Sequence, residues 1–222
     1  MTSHDYPSTP RTRPARSRER MSYDRAAVHA VLDEATVCHV GFVIDTEPVV
    51  LPQLHARVGE RLYLHGSTGA TAMRLASGQG MAVCVTVTLV DGIVLARSAF
   101  HHSINYRSVV VRGTATAVTD PEEKGMALAA VVDAVVPGRS SHTRGPDRRE
   151  LAATSVLRLP LEEVSLKLRS GPPNDDPGDL DLPYWAGVLP VATTTGRPVP
   201  APDVAAGAPL PEHLLGYGAA AD

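Results

Sequence analysis

The residues most suited to binding a small anion lie in RLYLHGSTGATAMRL, residues 61–75. Leu62 and Leu64 alternate with polar residues, which predicts a strand with one buried face. The run Gly66–Gly69 then supplies bare backbone and two hydroxyls, and good helix formers follow it. A helix that starts there points its unpaired backbone N–H groups at the loop, a geometry that holds a phosphate. The alternative is that one of the two hydroxyl residues only caps a short helix.

A second set of ligand-binding side chains lies on a late strand, VSLKLRS, residues 164–170. Successive strand residues point to opposite faces, so one serine and two cations share a face. They are Ser165, Lys167 and Arg169. These cations can bind an anion, or they form a solvated edge that discourages aggregation.

The third set is RSAFHHSINYRS, residues 97–108, which joins two predicted strands and is rich in hydrogen-bonding side chains. His101 and His102 are adjacent and therefore point opposite ways in an extended chain. No third ligand with metal-site spacing accompanies them, so the sequence predicts no metal site. Serine-hydrolase elbows, P-loops and paired carboxylates of glycosidases are not recognisable in the sequence either.

The composition is that of one large domain with long tails. The 222 residues are 43% hydrophobic but only 4% aromatic, so the core must rely on Val, Leu and Ala. We find no apolar run that could span a membrane and no signal peptide, and we predict a cytoplasmic protein with no membrane partner. Cys38 and Cys84 lie in strand-like runs and are predicted to be buried thiols.

The charge is unevenly distributed. Residues 11–20 carry a net +4, which leaves −7 for the rest of a chain whose net charge is −3. An acidic body with a basic arm does not predict a nucleic-acid partner. The arm is either a disordered tail or a segment whose arginines fold onto an anionic ligand or a partner subunit.

The periodicity predicts a mainly β (α+β) domain over residues 22–170, between a basic arm (1–21) and a Pro-rich arm (171–222). Residues 22–35 read as a helix with Ser22 as its N-cap, and Asp120-Pro121 marks the start of a second helix. Asp91-Gly92 reads as a two-residue hairpin turn. The predicted strands are 36–45, 47–57, 61–65, 81–90, 93–99, 106–118 and 155–169, the last interrupted at Pro160. In 81–90 the alternation predicts one face formed by Met81, Val83, Val85, Val87 and Leu89.

Several blocks occur in an order that resembles one family: LYLHGSTGATAMRL, DGIVLARSAFHHSINYRSVVVRG, EEKGMAL, VSLKLRSGPPNDD and PYWAGVLP. The family is the pyridoxamine 5′-phosphate oxidase-like, FMN-binding split-barrel superfamily, and in particular its branch of actinobacterial flavin-nucleotide-binding proteins related to nitroimidazole-resistance reductases. The resemblance covers roughly residues 15–192, and residues 91–113 are its most specific part.

The resemblance implies a six-stranded antiparallel split β-barrel with flanking helices. It also implies a homodimer with FMN at the subunit interface and a small-molecule substrate. It assigns flavin contacts to three groups of residues: one contacts the phosphate, one contacts the isoalloxazine ring, and one supplies further contacts from later in the chain. These are His65, Gly66, Ser67, Thr68, Thr71 and Arg74; Val50, Leu51, Pro52 and Gln53; and Ser98, Asn105, Arg107, Lys167 and Trp185.

One departure from the family concerns charge. Relatives carry a lysine shortly after the phosphate loop, whereas Arg74 is the first cation here. A phosphate dianion without a cation is costly to bury. Compensation must therefore come from Arg74, Lys167, Arg107 or the basic arm.

The function implied is an FMN-dependent oxidoreductase that passes electrons from NAD(P)H through the flavin to a small organic acceptor. His102, His101 and Tyr106 are the candidate proton donors, and a structural hydrogen-bonding role is the alternative for each histidine. Two other hypotheses stay open. One is a flavin carrier without turnover; the other is a split barrel that binds F420 or haem instead of FMN.

Overall fold

The computed structural model describes residues 4–14, 16–205 and 207–218. The outer ends of both predicted arms and residue 15 therefore lie outside the described residues. Within the described part there are nine strands and four α-helices, joined by loops with short 3₁₀ turns. The strands are β1 (Met21–Ser22), β2 (Val37–Ile44), β3 (Glu47–Val58), β4 (Arg61–Ser67), β5 (Met81–Leu95), β6 (Ser103–Ala117), β7 (Thr154–Pro160), β8 (Glu163–Arg169) and β9 (Gly187–Pro190). The helices are α1 (Arg25–Glu34), α2 (Thr71–Leu75), α3 (Pro121–Val135) and α4 (Arg148–Ala153).

Six of these strands close into a ring in the order β2-β3-β4-β7-β6-β5, and β5 returns to β2. Every pairing in the ring is antiparallel. The end of β6 pairs with β7, whereas its middle pairs with β8, so the barrel opens along this edge. The predicted mainly β, split-barrel fold is confirmed.

The alternating pattern of β5 explains how the sequence builds the barrel wall. Met81, Val83, Val85 and Val87 are buried in the main core, while the residues between them face outward. This alternation was predicted, and it holds because one face of an antiparallel strand packs on the core. Cys38 is buried and Cys84 half-buried, both as free thiols, and burial raises the pKa of Cys38 to about 12.

The start of α3 matches its prediction, whereas α1 has a different N-cap residue from the one predicted. Asp120 accepts a hydrogen bond from the Glu123 N–H, with a proline in the first turn. The predicted N-cap Ser22 is wrong: Asp24 caps α1 by accepting from the Ala27 N–H at 2.7 Å. Ser22 instead pairs with β8, which delays the helix.

The predicted hairpin at Asp91-Gly92 is also wrong. The chain continues straight through as β5, with only a bulge between Val90 and Gly92. β6 pairs along one edge of this stretch and β9 along the other, so a turn is excluded. Glycine is needed because a Cβ there would lie 2.8 Å from a methyl of Val188 and 3.2 Å from the Leu189 carbonyl oxygen in β9.

The arms pack against the barrel where they are described. Tyr6 is buried, and its hydroxyl lies 2.8 Å from His29 Nε2 and donates to Glu60 at 2.9 Å. Arg11 forms an ion pair with Glu163 at the start of β8. In the C-terminal arm, β9 adds a strand to β5. The described helices include none with the length and apolar character needed to cross a membrane.

Candidate functional site

The predicted anion loop lies between β4 and α2. Ala70 occupies the N-cap position of α2 without a side-chain hydrogen bond. The Ser67 hydroxyl accepts from the Gly69 N–H at 3.3 Å, and the Thr68 N–H donates to the Ala153 carbonyl at 2.9 Å. The capping alternative is therefore wrong. The start of α2, at Thr71, has no side-chain cap, and the loop before it is exposed.

The predicted ring contacts on β3 lie beside this loop. Gln53 donates from Nε2 to the His65 carbonyl at 2.5 Å, which ties β3 to the end of β4. Val50 is 62% exposed and Leu51 is 47% exposed. Pro52 pairs with His39 on β2. The barrel therefore presents an apolar surface next to the loop, and such a surface suits a planar aromatic ring.

The cations proposed to neutralise a phosphate differ in availability. Arg107 donates to both Glu34 and Asp91, and these hydrogen bonds raise its pKa and lower that of Glu34. Arg107 is thus already neutralised. Arg74 is exposed, and its guanidinium has no ion-pair partner in the described part of the chain. Lys167 lies on the outer face of β8, likewise without an ion pair to a described residue.

The 98–108 block forms a 3₁₀ turn followed by β6. Ser98 caps this turn, and the His102 ring donates from Nδ1 to its carbonyl at 3.0 Å. His101 Nε2 lies 3.1 Å from Asp176 of the C-terminal arm. Asn105 is buried and donates to the Gly171 carbonyl at 3.1 Å. These contacts support a structural hydrogen-bonding role for His101 and His102. Their role as proton donors stays a prediction.

The remaining predicted contacts lie on β6 and in the C-terminal arm. Tyr106 is half-buried and lies opposite Arg169 of β8, on the outer face. Trp185 is 65% exposed and packs over Gly187, where a Cβ would lie 2.7 Å from the indole ring. β8 is not a bare edge, because Met21 and Ser22 pair with it. The solvated-edge alternative for Lys167 is therefore weakened.

The ladder register separates two parts of the predicted site within one chain. Pro52, beside the loop, is aligned across β2 and β5 with Val110 on β6. β6 begins at Ser103, next to His102, and seven residues separate it from Val110, about 23 Å along a strand. The histidine turn and the anion loop therefore do not meet in one protomer. A site that contains both would need a second copy of the chain.

A feature that the sequence did not reveal is a pocket between β4 and α3. It has a volume of about 370 Å³ and is lined by His65, by apolar side chains of α3 and by the exposed 140–146 segment. The Nδ1 atom of His65 is buried and makes no hydrogen bond. Burial lowers the pKa of this ring, so it is neutral near pH 7. Strand alternation predicts only that Tyr63 and His65 share a face; that α3 covers this face is visible only in the structure.

The described residues contain no group of three or more His, Cys, Asp or Glu side chains arranged to hold a metal ion directly. A single neutral imidazole that faces an apolar pocket can serve a metal only if the metal arrives with its other ligands.

Comparisons with known proteins give the chain its family. A family model described as pyridoxamine 5′-phosphate oxidase matches residues 24–168. The solved flavocytochrome Anf3 from Azotobacter vinelandii is 36% identical; the match covers 94% of this chain and 97% of that chain, with a TM-score of 0.87. The FAD and heme binding protein from Mycobacterium smegmatis is 40% identical over 90% and 97% of the two chains, with a TM-score of 0.85.

A protein from Bacteroides thetaiotaomicron whose name refers to 5-nitroimidazole antibiotic resistance shares the fold. It is 21% identical over 66% of this chain and 85% of that chain, with a TM-score of 0.56. A search of curated proteins gave no match. The family-model match and the two more similar structures agree with the closed six-strand ring, and the chain belongs to the pyridoxamine 5′-phosphate oxidase family.

Proposed function

We propose that this protein binds a flavin nucleotide and haem and passes electrons between them. The two similar structures with 36% and 40% identity are named as a flavocytochrome and as an FAD and heme binding protein. The observation that carries the proposal for this chain is His65, which lines an apolar pocket and whose ring makes no hydrogen bond to a described residue. Its Nδ1 is buried, so Nε2 is the ring atom that would hold the iron of a haem.

The pocket has the chemistry that a haem requires. Leu128, Val131 and Val132 of α3 offer an apolar wall for the macrocycle. Thr143 and Arg144 also line the pocket; the Thr143 hydroxyl donates to the Ser140 carbonyl and Arg144 forms an ion pair with Glu150, so a carboxylate group of a haem would have to displace these contacts. The neutral form of His65, which burial favours, is the form that ligates iron. When bound, haem supplies one-electron redox chemistry at its iron.

The flavin would use the loop and the surface beside it. Ser67 and Thr68 provide hydroxyls, and the uncapped start of α2 provides backbone donors. Arg74 is the first cation after the loop in the chain and has no ion-pair partner among the described residues. The ring would lie on the exposed apolar face at Val50 and Leu51. FMN, which the family resemblance implies, and FAD both carry the phosphate that this loop suits. When bound, a flavin supplies two-electron and one-electron transfer.

A homodimer would complete such a site. The exposed apolar residues of β2 and β3 need a cover, and a second copy could bring its histidine turn to the loop. In that arrangement His102, whose Nε2 makes no hydrogen bond to a described residue, could donate a proton at the flavin. The donor NAD(P)H and a small organic acceptor complete this proposal.

The haem part is tested by titrating the purified wild-type protein and His65→Ala with hemin. The matched control is His4→Ala, which removes a surface histidine whose side chain is 98% exposed. We expect wild type and control to give a Soret band at one haem per chain. His65→Ala should bind at least about tenfold more weakly, and free imidazole should restore its spectrum. Equal hemin binding by wild type and His65→Ala, or none by either, would refute the haem assignment.

The flavin part is tested on the same preparations. Apoprotein is titrated with FMN, FAD and F420, and binding is followed by flavin fluorescence. We expect FMN or FAD to bind and His65→Ala to retain this binding, because its side chain faces α3. Binding of F420 alone would replace the flavin by the deazaflavin, and silence for all three would refute this part of the proposal.

A further inference from the structure

A trough on the outer face of β6 and β8 lies away from the His65 pocket and has its own cations. Its polar half, about 290 Å³, is walled by alternating residues of the two strands and roofed by the N-terminal arm. The lining residues that the argument uses are Arg11, Tyr106, Arg112, Ser165 and Lys167.

The charge of this half is not balanced. Arg11 is neutralised by Glu163, with which it forms an ion pair. Arg112 lies opposite Glu163 in the ladder, yet neither Arg112 nor Lys167 forms an ion pair with any described residue. The ladder places these two cations four residues apart along neighbouring strands, about 13 Å at the backbone, so an extended anion with two negative charges could contact both.

Two hydroxyl donors lie on the same face, Ser165 between the two cations and Tyr106 beyond Lys167. Ser165 is buried at 9% exposure, and Tyr106 is half-buried. Neither hydroxyl makes a hydrogen bond to another residue in the described ranges, so both are available to a ligand that enters the trough. Oxygen atoms of a phosphate accept from such hydroxyls and from guanidinium groups together.

The trough continues into an apolar half. This second part, about 420 Å³, shares Arg11 and Arg112 with the first and is lined by Phe42, Val49 and Val50. An occupant must therefore carry an anionic group at one end and an apolar, planar group at the other. Val50 also borders the surface proposed for the flavin ring, so the two ligands would meet there.

We infer that this trough binds the phosphate-bearing part of a dinucleotide, held by Arg112 and Lys167, with a heteroaromatic ring over the apolar half. The inference rests on the proposed function only where it names the molecule that supplies this dinucleotide part. The source is either a separate nucleotide, such as the reduced nicotinamide dinucleotide that would supply electrons, or the second half of FAD itself.

The test uses Arg112→Gln and Lys167→Gln, with Arg148→Gln on the exposed surface of α4 as the matched control. ADP is the probe, titrated calorimetrically into flavin-loaded protein and into apoprotein. We expect wild type and control to bind ADP and each trough variant to bind about tenfold more weakly, a loss of about 1.4 kcal/mol. Added salt should weaken the wild-type binding. Equal melting temperatures would show that the variants fold.

Two further results identify the source. ADP binding to flavin-loaded protein supports a separate nucleotide, and the Michaelis constant for NADPH should then rise in both variants. Binding of ADP to apoprotein alone, with a preference for FAD over FMN that both variants lose, supports the second half of FAD. Unchanged affinities for ADP, FMN and FAD in both variants would overturn the inference. Apoprotein that binds ADP but no flavin would refute the proposed function and leave the trough standing.

Discussion

His55 gives a sharp test of how burial controls the pH dependence of stability. It lies on β3 with 1% exposure, and its ring donates from Nε2 to the Leu32 carbonyl of α1 at 2.9 Å. Its Nδ1 is buried without a partner, and burial lowers the pKa of the ring. Protonation in the folded state would place an unpaired N–H⁺ in the core, so the folded protein resists it.

The sign follows from proton linkage. The unfolded chain takes up a proton near its ordinary pKa of 6.5, while the folded chain does not. The free energy of unfolding is therefore unaffected by His55 above that pH and falls below it. If the ring stays neutral in the folded state, the free energy of unfolding falls by about 1.4 kcal/mol between about pH 7.5 and about pH 5.5. This value corresponds to one proton taken up on unfolding over about one pH unit below the pKa of the unfolded chain.

The perturbation is His55→Gln, whose amide nitrogen can replace Nε2 as the donor to Leu32 but cannot titrate. We expect it to cost about 1 kcal/mol near pH 7.5 through imperfect geometry, and to converge with wild type near pH 5.5. Urea unfolding at fixed protein concentration should be followed by far-UV circular dichroism, because the single tryptophan, Trp185, is largely exposed. If both proteins lose the same stability between the two pH values, the reasoning about His55 is wrong.

Two further substitutions test one side-chain hydrogen bond and one glycine with a positive φ. Tyr63→Phe should lower the free energy of unfolding by about 1 kcal/mol, because it removes the hydroxyl that donates to Glu123 at 2.8 Å; an unchanged urea midpoint would contradict this. Gly80→Ala should destabilise by about 2 kcal/mol or more, because φ is +86° and a Cβ would lie 3.0 Å from the Ala115 carbonyl oxygen. Gly78→Ala, where a Cβ meets nothing within 4 Å, is the matched control and should melt like wild type.

The local elements that could be predicted are those that short-range physics decides. The alternation in β5 and the cap at Asp120 need only neighbouring residues to be recognised, and both are confirmed. The hairpin at Asp91-Gly92 failed because its local turn preference is outweighed by ladder hydrogen bonds on both edges of the strand. The cap at Ser22 failed for a related reason, since pairing with β8 competes for that residue.

The candidate site also has features that neighbouring residues predict and features that depend on contacts between distant residues. The strand, loop and helix around Ser67 are contiguous in the chain, and their order could be read from residue types alone. The pocket at His65 brings β4 together with α3, about 60 residues later, and no local pattern encodes that contact. The same holds for the capture of Arg107 by Glu34 and Asp91, which removed it from the available cations.

The amino-acid sequence by itself determined the class of fold, the family and the order of strand, loop and helix at the predicted anion loop, because periodicity and contiguous motifs are properties of neighbouring residues. Only the tertiary structure decided that the histidine turn lies far from that loop in one protomer, that His65 faces an apolar pocket and that Arg112 and Lys167 share a trough. Those relations arise from ladder register and barrel closure, which join residues distant in the chain.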